Sequence, residues 1–247
     1  MSTVTHAPAY VYGITWADDG LDPLDGVAGT PVRRLEHGEL AVLISDLPSA
    51  TIHARRRDLL RHAEVLQRAF ERGTVLPLSF GAVFDDDEQL VTEVLEPRYE
   101  ELVALLQSLD GFVELTVRAY YDEPSVLRAI VGGDARIAAL HGSSDPRDQV
   151  MLGEAVTQAL AARQLRDADE IVAALSSGAR EVVVEERVAE FEVVRAALLV
   201  EHSAVDKVDS QAEELARSYD GLIRFKLTGP LPPHHFVTGS SLGRWAS

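Results

Sequence analysis

The 247-residue sequence contains no cysteine. That excludes disulfides, thiolate catalysis and cysteine-based metal sites, and it suits a reducing cytoplasm. Lysine is almost absent too: Lys207 and Lys226 are the only two, and arginine supplies the other positive charge. Positive charge as a whole is scarce. Against 40 Asp and Glu stand 23 Lys and Arg, a formal net charge of -17. Nucleic acid and anionic membrane surfaces both need a basic face, so neither is expected as a primary partner. No apolar run approaches the ~18 to 20 residues that a membrane helix needs. The opening stretch, MSTVTHAPAYVYG, has neither a charged n-region nor an apolar h-region, so no secretory signal is expected.

Catalytic patterns are missing as well. There is no phosphate-binding loop, no GxGxxG, HExxH or GxSxG, and no spaced set of metal ligands. His234 and His235 are adjacent on an extended segment, so their side chains point apart and chelate poorly. Asp85, Asp86, Asp87 and Glu88 lack the glycine and distal glutamate of a calcium loop. They read as a cap for the helix that follows, complementing its dipole. No enzymatic activity, cofactor or metal is therefore expected.

What is present is a patterned globular chain, long enough to bury a sizeable core and to hold two domains. Ala9 to Trp16 is aromatic and β-branched and predicts a strand. Two strands flank a turn at His37 and Gly38, and the second, Glu39 to Ser45, is apolar on both faces, as a central strand is. Leu59, Ala63, Leu66 and Phe70 recur at helical spacing and predict the buried face of a helix. His62, near that stripe, is expected to be a hydrogen-bonded structural histidine. The apolar run Val75 to Phe84 contains Pro77, which places it at a sheet edge or bulge. A kinked helix through Pro97 follows, and Asp110–Gly111 is the expected boundary.

From Phe112 the predicted order is strand, helices, strand, strand, helix, strand. The strands are Phe112 to Tyr121, Glu181 to Ala189, Glu192 to Glu201 and Leu222 to Thr228. In the strand Glu181 to Ala189, Val182, Val184 and Val188 are expected to face inward. This is the split βαβ order of a ferredoxin-like domain, with the first and third strands central and the last at an edge. The fold class is thus α+β: an N-terminal α/β domain over 1–110, then a modified ferredoxin-like domain with helical additions over 111–247.

Two sets of residues are candidate partner-binding sites. Arg55, Arg56 and Arg57 open the first helix, with Arg61 one turn on. Cations at a helix N-terminus are mildly unfavourable, by about 0.3 to 1 kcal/mol each at low salt. They form either a solvated face paired with carboxylates or a small basic patch kept for an acidic partner. The second set is the exit of the last strand, predicted to stop at Thr228-Gly229-Pro230. Pro230, Leu231, Pro232, Pro233 and Phe236 then make a stiff extended arm. That arm is either packed on its own domain or docks a partner.

Several strings occur in a telling order: YVYGI, the helix with His62 and Val65, VLPLSFGAVF, ELTVRAYYDE, AALLVE and LTGPLPPHHFV. Together, from about Tyr10 to Val237, they resemble the gas vesicle protein F/L family. The sequence departs from the family's usual pattern at Ser79, Leu231 and His234. The resemblance implies a non-enzymatic accessory or minor structural protein of gas vesicles, with a distinct N-terminal α/β domain and a modified ferredoxin-like C-terminal one. It implies as partners the main, very hydrophobic wall subunit and other gas vesicle accessory proteins, with the gas vesicle in the cytoplasm as location. The competing reading is a small-molecule-binding or catalytic ferredoxin-like protein.

Overall fold

The structure is a computed structural model that describes residues 7–237. It has mixed α+β architecture and divides into two compact units. The first comprises the chain up to Glu114 together with the residues from Pro230 onward; the second is Leu115–Gly229. The proline-rich end of the chain thus groups with the first unit, not with the unit whose last strand it leaves.

The first unit is built on β1 (Ala9–Trp16). It is buried almost throughout because it has neighbours on both sides. β3 (Leu40–Asp46) pairs antiparallel on one side and carries β2 (Val32–His37) beyond it. On the other side lie two short pieces, β4 (Val75–Pro77) and β5 (Val83–Phe84). They are one apolar run split by a loop. Leu78 donates its N–H to the Tyr12 carbonyl at 2.8 Å, and Val11 donates to Ala82 at 2.9 Å. Between these bonds the chain bulges outward, which is how an edge tolerates Pro77. The turn joining β2 to β3 is where the sequence places it, with Gly38 at φ +60.

α1 (Arg56–Phe70) lies over this sheet, but not on the expected face. Its buried residues are Asp58, His62, Val65, Leu66 and Ala69, whereas Leu59 and Leu60 are 43% and 60% exposed and Ala63 is exposed. The helix is rotated because two polar residues have partners inside. Asp58 accepts from the Ala28 N–H at 3.3 Å, and His62 is bonded at both ring nitrogens. A buried polar group with its bonds made costs little, so apolar periodicity alone misplaces the face. α2 (Asp87–Leu90) is capped by the Asp86 side chain, which accepts from the Gln89 N–H at 2.8 Å. A π turn, Val91–Leu95, leads into α3 (Glu96–Leu109), where Pro97 interrupts the backbone ladder and Arg98 leaves helical geometry.

The second unit has a four-stranded sheet. β6 (Phe112–Tyr121) leads to α4 (Glu123–Gly133), α5 (Ala135–His141) and the 31-residue α6 (Pro146–Ser176). The short β7 (Glu181–Val184) pairs antiparallel with β8 (Glu192–Glu201), and α7 (Val205–Ser218) leads to β9 (Ile223–Leu231). The spatial order is β7-β8-β6-β9. That is the ferredoxin-like arrangement, with β6 and β8 central and buried and β9 at an edge.

Two local expectations change here. β7 ends at Val184, and Val184 and Val188 are 60% and 73% exposed instead of facing inward. β9 does not stop at Thr228. It runs through Gly229, at φ +146, and Pro230 to Leu231. An edge strand leaves one row of backbone groups unpaired, so a proline there forfeits no ladder bond.

Candidate functional site

The aromatic residues of β1 begin the site. Tyr10 and Tyr12 are two residues apart and fully buried, with ring centroids 4.8 Å apart in an edge-on arrangement. His62 on α1 stacks on Tyr12 at 5.6 Å and meets Tyr10 edge-on at 5.7 Å. Phe80, from the bulge between β4 and β5, closes the group at 5.8 Å from both Tyr10 and His62.

The polar atoms of this cluster form one chain of bonds. His62 Nε2 lies 3.0 Å from the Leu78 carbonyl, which can only accept, so Nε2 carries the proton. Nδ1 is then an acceptor, and the Tyr10 hydroxyl donates to it at 2.7 Å. The Gly81 N–H donates in turn to the Tyr10 oxygen at 3.3 Å. The bulge is therefore fastened at Leu78 and at Gly81 through one histidine and one tyrosine. Burial pushes the Tyr10 phenol upward and the His62 imidazole down to about 4; the Leu78 carbonyl opposes the second shift and the nearby His234 adds to it. His62 is thus the structural histidine that the sequence suggested.

This yields a pH prediction. The folded pKa of His62 lies below its ordinary value of 6.5, so the unfolded chain binds the proton more readily. Stability is then complete above pH 6.5 and is lost as pH falls toward 4, by about 3 kcal/mol in all. His234, also held low by burial, acts with the same sign. Thermal melts should fall between pH 6.5 and 5 in the native protein, and the His62→Phe variant should show a flatter profile over that range. Equal slopes would remove His62 from the account.

The end of the chain reaches the same unit. Pro230 is exposed, Leu231 half-buried, and Pro232 and Pro233 buried. α8 (His234–Val237) packs on β4, with Val237 fully buried and Phe236 half-buried. Glu114, only 1% exposed, clamps it. Its Oε2 accepts the His235 backbone N–H at 2.9 Å and its Oε1 accepts from His235 Nδ1 at 2.7 Å. The string VLPLSFGAVF and the residues from Pro230 to Val237 therefore meet within one unit. The arm residues are placed as packing, with Pro230 as the one exposed member of the set.

The arginines lie elsewhere, on α1. Arg55 is the residue before its first turn; Arg55, Arg56 and Arg57 are exposed. Arg57 Nε lies 3.5 Å from Asp58, and Arg61 pairs with Glu64 at 2.9 Å. Arg55 and Arg56 make no ion pair among the described residues. Sequence reading missed Glu114 and the exposure of Leu59 and Leu60. Among the described residues no group of three or more His, Asp or Glu is placed to hold a metal, and no helix is long and apolar enough to cross a membrane.

Comparison with known proteins decides the lineage. The family model described as gas vesicle synthesis protein GvpL/GvpF matches residues 8–238. The chain belongs to the gas vesicle protein F/L family. Gas vesicle protein F of Streptomyces sp. (strain CB03234) is 32% identical over 238 residues, covering 92% of this chain and 98% of the relative. Gas vesicle protein L of the same strain is 34% identical over 125 residues, covering 45% of this chain and 47% of the relative. The crystal structure of GvpF from Anabaena sp. PCC7120 superimposes with a TM-score of 0.82 at 24% identity, covering 94% of this chain and 98% of that one. GvpF from Microcystis aeruginosa gives 0.77 at 21%, covering 94% and 99%. These two likenesses establish the fold, and family membership establishes a gas vesicle-associated role.

Proposed function

We propose that this F/L-family protein is a non-enzymatic accessory or minor structural protein of gas vesicles. It binds the hydrophobic wall subunit in the cytoplasm during shell nucleation and assembly, alongside other gas vesicle accessory proteins. The observation that carries the reading is the family match over nearly the entire chain. The physics supports it. A wall subunit with large apolar faces and open strand edges aggregates unless those surfaces are covered before assembly. A partner with a net charge of -17 keeps the pair in solution while it covers them.

The test is to mix the purified protein with the wall subunit. Co-elution and a delayed onset of subunit aggregation are the expected results. Absence of both would sink the reading. Washed, intact vesicles then separate a retained wall component from a transient assembly factor.

A further inference from the structure

Among the described residues of the first unit, α1 is the one helix whose inward face includes an aspartate and a histidine while two leucines face out. With ~3.6 residues per turn, Arg56, Leu59, Leu60 and Ala63 fall on one outward stripe, with Arg55 and Arg57 at its margins. All six are exposed. The buried groups account for the rotation of the helix, but not for leucine at 59 and 60; any polar residue would be accepted there. Nor do they account for three consecutive arginines where the helix dipole disfavours cations. Both features are explained if the stripe is covered by something apolar and negatively charged.

Resting on the reading of this protein as a wall-subunit binder, we infer that the outward stripe of α1 docks an acidic amphipathic helix of that subunit. The partner helix lays its apolar face on Leu59, Leu60 and Ala63, and its carboxylates meet Arg55, Arg56 and Arg57. Charge complementarity selects this occupant. The arginine cluster sits on a chain with 40 acidic and 23 basic residues, so acidic ligands are repelled by the molecule as a whole and admitted at this patch. The repeat of the stripe, i, i+3, i+4 and i+7, is that of a helix laid along a helix. Because Arg57 leans on Asp58 and Arg61 is paired with Glu64, Arg55 and Arg56, which make no ion pair among the described residues, carry most of the attraction.

The experiment measures capture of the wall subunit, held soluble by a fusion partner, on the full-length protein and three variants. Arg55→Glu/Arg56→Glu should weaken capture by about tenfold or more at low salt, and raising the salt should weaken capture by the native protein. Leu59→Ser/Leu60→Ser should weaken it by about tenfold. Arg217→Glu, an exposed arginine near the end of α7, is the control and should change nothing. Circular dichroism confirms that each variant is folded, and Arg55→Gln/Arg56→Gln replaces the reversal if it is not. Native capture that survives all the α1 changes overturns this surface and leaves the proposed function standing. No capture by the native protein overturns the proposed function, and this inference with it. Self-association of the native protein that the leucine variant abolishes would also overturn it, because a second copy of this chain would then be the occupant.

Discussion

Replacing His62 by alanine should lower the free energy of unfolding by about 3 to 5 kcal/mol, a fall in melting temperature of roughly 10 °C for a chain of this size. Two losses add. The imidazole fills space between Tyr10, Tyr12 and Phe80, so its removal leaves a cavity in a close-packed aromatic group. It also strips partners from the Tyr10 hydroxyl and the Leu78 carbonyl, both in the interior. Each unsatisfied buried group costs about 1 to 3 kcal/mol. The comparison with Tyr10→Phe separates the terms, because that change keeps the ring and removes only the hydroxyl. It should cost about 1 to 2 kcal/mol. Melts in denaturant with the slope unchanged would confirm a native-state effect. A His62→Ala loss below about 1 kcal/mol would mean that the cluster relaxes and the bonds are incidental.

Glu114→Ala should cost about 2 to 4 kcal/mol and release the end of the chain. The carboxylate is buried and accepts two bonds from His235, so truncation removes an acceptor from a backbone N–H and from a ring nitrogen together. The His235 side chain keeps some contact with water, at 32% exposed, which holds the penalty below that of a fully enclosed pair. A protease should then cut near Pro233 at a concentration that leaves the native protein intact, and the separate loss of Phe236 and Val237 packing should accompany the cut. Unchanged protease resistance at reduced melting temperature would show that burial of Pro232, Pro233 and Val237 holds the segment without the clamp.

How much of this the sequence disclosed depends on where each partner lies. The order of the second sheet was legible because Val113, Leu115, Val117, Ala119 and Tyr121 alternate along β6 and are all buried, and because β8 is apolar on both faces. The edge position of β9 followed from its proline, although the strand continues past it. The face of α1 was misread because apolar spacing gives no credit to Asp58 and His62, whose partners at Ala28, Tyr10 and Leu78 lie outside the helix. Glu114 was hidden for the same reason. Its partner is 121 residues downstream, and nothing in ELTVRAYY marks one glutamate as buried. The arginine cluster was visible as a string, but the leucines beside it became informative only once the helix was seen to be turned.

The first unit is made from both ends of the chain, and the ferredoxin-like unit is inserted between Glu114 and Pro230. This sets an order of events at the ribosome. The inserted unit is contiguous and can close as soon as β9 emerges. The first unit cannot place α8 on β4 until His234–Val237 have been made. At ~5–20 residues per second, the insert alone delays that closure by roughly ten seconds after Glu114 has been added. During that interval β4 and Glu114 stand without their final cover. Nascent chains that stall inside the insert should therefore be the species that chaperones hold.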